Sequence, residues 1–430
     1  MNDLHDLSFR ARQSYLELSV SPAETRNSAL LHLAEVLRKR ADIIFAANRE
    51  DLECAGREGL SAPLMHRLKF GTEKLDAVCE GLKSLALLPD PIGKTTLATE
   101  ITEGLKLFRV ICPIGVIGVI FESRPDALIQ IASLCIKSGN AVLLKGGREA
   151  IRTNQALAEA VRTALSDTGL PADAAQLLET REDVAAMLKE DELIDLIIPR
   201  GSNAFVRYIM DNSRIPVLGH SDGICHVYID RDADPEKALR VTVDSKTQNV
   251  SVCNAAETLL VHEDAAGILP AVAEALRENG VRILGDSECR KIIGCEPATE
   301  EDWSAEYLDY VISVKMVHSL REAVEHINRY GSHHTDCIVT ENADTAASFM
   351  NLVDSAGVYW NASTRFADGF VYGFGAEVGI ATGKLHARGP MGLEGLTTYK
   401  YKMIGAGHTL SDMKSGKRRY THRPLPVSGD

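Results

Sequence analysis

A chain of 430 residues, 45% hydrophobic and 25% charged, has the balance of a soluble globular protein with room for two or three cores. Its formal net charge of -13 argues against a basic face for nucleic-acid phosphates. Nine cysteines, an odd number with no Cys-x-x-Cys pair, argue against a disulfide framework or a zinc finger. No apolar run approaches the roughly 20 residues that span a bilayer. The start, Met1-Asn2-Asp3-Leu4-His5, lacks the basic and apolar regions of a signal peptide. The expectation is a cytoplasmic protein with no membrane and no nucleic-acid partner.

Residues 4–90 read as amphipathic helices. Ser21-Pro22-Ala23-Glu24 predicts a helix start, with the serine as cap and the glutamate closing a capping box. Leu30, Leu33, Ala34 and Leu37 then form one apolar stripe. A second helix is expected over 41–52 and a third from Thr72. Between Leu105 and Lys145 the period changes: 105–112 alternates as a strand does, and 115–121 is a continuous apolar run. Such runs belong to parallel strands buried on both faces. A polar turn, a helix over 127–137 and a strand over 141–145 complete a βαβ unit.

Ligands of such sheets gather at the carboxyl ends of the strands. That singles out Arg124 in one loop and Lys145-Gly146-Gly147-Arg148 in the next. Lys145 can hold a cofactor ribose or phosphate, or be a solvated lysine at a strand end. No Gly-x-Gly-x-x-Gly fingerprint occurs here, so a nicotinamide cofactor would be held in another way. A strand over 193–198 runs into Pro199-Arg200-Gly201-Ser202-Asn203, where helix amides, an arginine and a serine offer either a phosphate site or a capped helix. A short strand is expected over 215–218 and another over 225–230, with Cys225 and His226 as core. His220, in the glycine-flanked turn between them, reads as functional or structural.

A helix from Pro235 leads to Lys246-Thr247-Gln248-Asn249, a polar stretch expected outside the packed core. Next comes Val250-Ser251-Val252-Cys253-Asn254-Ala255, and then an apolar strand over 258–261. A thiol in such a loop is placed to meet a substrate, whereas structural cysteines sit among apolar side chains. Further βα units follow, with a capping box at Ser319-Leu320-Arg321-Glu322. His333-His334 invites a metal reading, but adjacent residues point apart on extended chain and no other ligand cluster is evident, so no metal is expected. The glycine-rich stretch 365–395 is too long to be idle surface. The basic tail from Lys414 reads as a solvated end.

Taken together, Ile198-Pro199-Arg200-Gly201-Ser202-Asn203, 216–228, 253–261, 323–336 and 384–394 resemble the gamma-glutamyl phosphate reductase family of the aldehyde dehydrogenase superfamily, in order from about residue 5 to 411. The resemblance implies an α/β fold: two doubly wound domains plus a small oligomerisation flap. The NADPH-binding domain would cover 1–240, with part of 376–395 returning to it. The catalytic domain would cover 241–375, and the flap would pair about 97–109 with 397–406. The implied reaction is reduction of L-glutamyl 5-phosphate by NADPH to glutamate 5-semialdehyde and phosphate, the second step of proline synthesis, by a homo-oligomer that can receive its substrate from glutamate 5-kinase.

By the same resemblance Cys253 is the nucleophile, and Lys145, Gly201, Ser202 and Arg148 lie on the cofactor. Arg124, His220, Arg365 and Arg388 are candidates for the anionic substrate, because arginine forks match carboxylate and phosphate. The turn before the nucleophile, Leu218-Gly219-His220-Ser221-Asp222-Gly223, carries no glutamate, unlike that of hydrolytic aldehyde dehydrogenases. The alternatives are a hydrolytic aldehyde dehydrogenase, a cysteine acyltransferase using a histidine base, and a catalytically silent homologue.

Overall fold

The computed structural model describes residues 4–122, 124–180, 182–220 and 222–427; Ser123 and Ser221 of the two loops above lie outside them. Three sheets organise the chain. The first is parallel, in the order Ala175–Leu178, Ala141–Lys145, Val116–Phe121, Leu196–Arg200. Val116–Phe121 and Ala141–Lys145 are buried throughout, as continuous apolar runs require. One core joins this sheet to the helices Ala23–Lys39, Thr72–Leu87, Pro125–Lys137 and Ile151–Asp167. Val378, Ala381, Ala387 and Met391, far along the chain, join the same core.

The second sheet has seven parallel strands, in the order Glu296–Pro297, Arg282–Gly285, Val311–Val317, Ala256–His262, Cys225–Ile229, Thr335–Val339, Gly357–Trp360. Period-two alternation splits its apolar residues between two cores. Val227, Ile229, Leu259 and Val261 enter one, and Tyr228, Leu260 and Ile338 the other. Cys225–Ile229 lies upstream of the domain boundary expected at residue 240, yet it hydrogen-bonds between Ala256–His262 and Thr335–Val339.

The third sheet is antiparallel. Thr95–Thr102 pairs with Leu105–Pro113, which in turn pairs with Thr397–Ile404. Along Thr397–Ile404 only the first residue is buried, so an edge strand presents Tyr399, Tyr401, Met403 and Ile404 to solvent.

Local chemistry corrects several expectations. Ser21 does not cap its helix: Pro22 holds the cap position and the Ser21 hydroxyl donates back to the Leu18 carbonyl at 2.7 Å. At Ser319 the hydroxyl caps the helix by accepting from Glu322 N, but the Glu322 carboxylate takes the amide of His318, one residue before the cap, instead of closing the box on Ser319. Lys246, expected in a solvated stretch, is fully buried against Glu257 at 2.5 Å. A polar sequence pattern cannot reveal a partner eleven residues away on a neighbouring strand. The 215–218 segment makes only an isolated bridge, Ile197 to Val217. No helix of the described residues is long and apolar enough to cross a membrane.

Candidate active site

The carboxyl ends of Val116–Phe121 and Leu196–Arg200 face the loop that precedes Ala256–His262, leaving a cleft of about 680 Å3. This is where a parallel sheet collects ligands, because its loops converge there. Cys253 lies in the cleft wall opposite Glu122, Arg124 and Arg200, with Gly201 and Ser202 opening the helix Asn203–Asn212 beside them.

The loop carrying Cys253 is fixed from several sides. The Asn254 side-chain amide donates to the Ala367 carbonyl at 3.0 Å, and the Thr364 hydroxyl donates to the Asn254 carbonyl at 2.7 Å. The Cys225 thiol donates to the Cys253 carbonyl at 3.3 Å. Gly223 packs so close beneath that a Cβ there would lie 2.2 Å from the Cys253 carbonyl oxygen. Glu306 ties this turn down, accepting from the Gly223 amide at 2.8 Å and from the Asn203 side chain at 2.5 Å.

The electrostatics hold Cys253 as a thiol. Burial, then the Glu377 and Glu306 carboxylates, push it up to about 12, against its own backbone amide and Arg200. Burial also raises Glu377, whose carboxylate accepts from the Gly369 amide at 2.9 Å. Two imidazoles stand by the sulfur. His220 is held below its usual range by burial, and its Nδ1–H donates to the Ile380 carbonyl at 3.0 Å. His334, wholly buried, is pushed down to about 3 by burial and by His220, whose ring meets it edge-on.

The predicted residues are distributed unevenly. Cys253, Gly201, Ser202, Arg124 and His220 all line the cleft. Arg124 pairs with Asp126 at 3.0 Å. Arg365 lies against the Cys253 loop, its carbonyl facing the Asn254 side-chain amide at 3.5 Å and its Nε donating to Gln248 at 2.9 Å. Lys145 sits at the end of the strand next to Val116–Phe121, in register with Ile120; it is buried and donates to the Gly146 carbonyl at 2.6 Å, outside the cleft lining. Arg148 is on the surface, paired with Glu58 at 3.2 Å. Arg388 pairs with Asp354 at 3.1 Å and lines a separate cavity of about 460 Å3.

Three kinds of site residue escaped the sequence reading. Glu306 reaches the cleft from a segment with no local signal, and Glu377 from the glycine-rich stretch 365–395, whose length points to a role without singling out that residue. Arg200 stood in a noticed motif and proves to be the cation that favours the Cys253 thiolate. The His333-His334 pair carries no metal expectation, because neighbours on extended chain diverge. Here His333 takes a left-handed φ of 60° and turns to the Asp354 carbonyl at 2.6 Å, and His334 goes inward. One member of the pair thus reaches the site alone.

The helix start also differs from a simple anion cradle. The Ser202 backbone hydrogen-bonds the Glu122 carboxylate, so an internal anion already occupies part of that N-terminus. Glu122 is raised by burial and by Glu149, which marks it as a carboxylate held against its preference.

Comparison with known proteins places this geometry. The aldehyde dehydrogenase family pattern matches residues 2–282. The gamma-glutamyl phosphate reductase of Acetivibrio thermocellus is 56% identical over 423 residues, 98% of each chain. Gamma-glutamyl phosphate reductase 1 of Synechocystis is 53% identical over 427 residues, 99% of each. The crystal structure of gamma-glutamyl phosphate reductase from Thermotoga maritima superposes with a TM-score of 0.93 at 40% identity, covering 95% of this chain and 100% of that one.

Proposed function

This chain belongs to the aldehyde dehydrogenase family, among its gamma-glutamyl phosphate reductases, and on that premise we propose that it reduces L-glutamyl 5-phosphate with NADPH through a thioester on Cys253. The observation that carries the reading is the placement of Cys253: the one cleft-lining thiol among the described residues, its carbonyl held by Cys225 and its neighbour Asn254 by Ala367, in the same cleft as Arg124 and Arg200.

The residues present suit a dinucleotide cofactor. Gly201 lets the backbone come close to a ligand, and the amides of Ser202–Ala204 with Arg67 face the same space. Lys145 and Arg148 sit at the adjacent strand end, the side on which a ribose and its 2′-phosphate would lie. Glu122 opposes a pyrophosphate there, and a protonated or displaced carboxylate removes the opposition. Bound NADPH supplies the hydride.

The chain's own groups do the rest. Arg124, Arg200 and Arg365 draw the substrate's phosphate and carboxylate toward Cys253 and favour the thiolate. Nε2 of His220, left with its lone pair by the Nδ1–H bond to Ile380, takes the thiol proton. As sulfur bonds to the acyl carbon, the carbon–oxygen bond breaks and phosphate leaves, carrying that proton away. The Cys253 amide, which faces its own sulfur, is the donor offered to the developing oxyanion. After reduction the thiohemiacetal collapses, returning the thiolate and freeing the aldehyde. The three cleft carboxylates, Glu122, Glu306 and Glu377, already accept backbone amides, which leaves them ill suited to activate water against the thioester.

The edge strand Thr397–Ile404, with exposed aromatic and aliphatic side chains and unpaired backbone groups, supports self-association with a second copy. The direct test of the activity mixes purified protein with glutamate 5-semialdehyde, phosphate and NADP and follows NADPH absorbance. Formation of NADPH that depends on all three supports the reading; a cysteine acyltransferase, with no acyl group to transfer from an aldehyde, would form no NADPH.

A further inference from the structure

We propose that Cys253, His220 and His334 form a site for a soft divalent cation, Zn2+ above all, whose occupation masks the nucleophile. The Cys253 sulfur and one ring nitrogen of each histidine all lie within 4.8 Å of one another. A thiolate with two neutral imidazoles is a donor set for zinc, whereas magnesium and calcium require oxygen.

Both histidines are prepared as ligands. A metal-binding imidazole commonly gives its other N–H to a carbonyl, which fixes ring and tautomer. His220 does this with the Ile380 carbonyl at 3.0 Å, so its Nε2 keeps the lone pair. His334 engages Thr335 Oγ1 through Nδ1 at 2.9 Å, while its buried Nε2 has no hydrogen-bond partner among the described residues. A buried polar atom without a partner is costly, and a metal ion satisfies it.

The three ligands come from three separate segments that the fold holds in place. His220 lies in the turn before Cys225–Ile229, and Cys253 in the loop before Ala256–His262. His334 is turned inward by the left-handed His333 ahead of Thr335–Val339. Tetrahedral zinc, with a sulfur at about 2.3 Å and nitrogens at about 2.0 Å, sets its ligands about 3.3–3.6 Å apart. From separations of at most 4.8 Å the ligand atoms need to approach by no more than about 1.2–1.5 Å. Cys253 and His220 also line the cleft, which leaves the fourth position open to water or to a substrate oxygen. On binding, the sulfur–metal bond replaces the S–H bond, the proton passes to solvent, and nothing is oxidised or reduced. Binding needs only this geometry; the masking of catalysis also rests on Cys253 being the nucleophile.

The test uses Co2+, which reports its ligands by colour, on the full chain without cofactor. The expected result is one equivalent bound per chain, with a thiolate-to-cobalt charge-transfer band and tetrahedral visible bands, bleached by Zn2+. Cys253→Ser removes the charge-transfer band. His220→Gln, partly exposed and so tolerant of change, weakens binding by about tenfold or more. His334→Gln does the same. Cys225→Ser, removing the thiol 3.9 Å from His334 Nδ1, leaves the band in place. Absence of a thiolate band in the unmodified chain, or its survival in Cys253→Ser, overturns the site. If the band behaves as expected, Zn2+ inhibits the reductase and a chelator restores it. Full activity with zinc bound would leave the metal site standing and refute Cys253 as the nucleophile.

Discussion

Gly223→Ala isolates the claim that the exact seat of Cys253 governs turnover. A Cβ at 223 would lie 2.2 Å from the Cys253 carbonyl oxygen, 2.4 Å from its Cα and 2.5 Å from its Cβ. Non-bonded atoms rest near 3.5–4.0 Å, so one of the two segments must move by about 1 Å. Neither yields freely: Gly223 is held by Glu306, and the Cys253 loop by Cys225, Asn254 and Thr364. A 1 Å displacement of a reacting group costs about 10²-fold in rate, or about 2.7 kcal/mol of barrier. The overpacking itself costs about 1–3 kcal/mol of stability. The assay is kcat at saturating substrates, with melting temperature and the rate of Cys253 alkylation alongside. Gly219→Ala is the control, since its Cβ would meet Pro199 at 3.4 Å and Val206 at 3.7 Å, both near ordinary contact; its kcat should stay within about threefold of the parent. A Gly223→Ala enzyme with parental kcat and melting temperature would refute the reasoning.

Other outcomes can be checked separately. Cys253→Ala abolishes turnover and leaves NADPH binding intact by fluorescence titration; substantial residual reductase activity would sink the covalent route. Lys145→Ala raises the KM for NADPH more than for NADH, whereas equal losses would assign this buried lysine to the shared ribose or to structure. Lys246→Met leaves the Glu257 carboxylate, already pushed up to about 7 by burial, without its cation and destabilises the fold by about 3–5 kcal/mol in denaturant titrations. Adding Glu257→Leu should restore most of that; a double variant no better than the single contradicts it. His326 is pushed from 6.5 down to about 2, first by burial and then by His226 and Lys315. Its unfolded form therefore binds a proton that the folded form refuses below pH 6.5, and stability falls as pH drops, by about 2 kcal/mol at pH 5. Replacement by Leu should remove that share of the slope in urea midpoints at pH 7 and 5, while His334, pushed down to about 3, keeps its own share; an unchanged slope would contradict it.

What the sequence shows and hides follows from range. Val116–Phe121 and Ala141–Lys145 are legible because a strand buried on both faces must be apolar throughout. Cys253 is legible because polar neighbours flank a thiol just before such a strand. The Lys246–Glu257 pair is hidden, since burial by a partner on another element leaves no trace in local pattern. The membership of Cys225–Ile229 in the second sheet depends on a register with Thr335–Val339, more than a hundred residues on. His334 is hidden for a subtler reason: extended geometry was assumed for His333, and a single left-handed residue redirects its neighbour. Arg388 shares a glycine-rich stretch with groups that reach the core, yet Asp354 holds it in a different cavity.

On the proposed route an acyl phosphate, and not a carboxylic acid, lies across the thioester from the aldehyde. The measurement that tests it most directly is NADPH formation from glutamate 5-semialdehyde and NADP in phosphate-free buffer, followed by addition of phosphate. Without phosphate the thioester on Cys253 has no competent acceptor, because the preceding turn lacks a glutamate and the cleft carboxylates are engaged by backbone amides. One burst of NADPH per active site, then near arrest, and steady turnover once phosphate or arsenate is added is the predicted course. Sustained turnover without phosphate, yielding free glutamate, would make the enzyme hydrolytic and contradict the account.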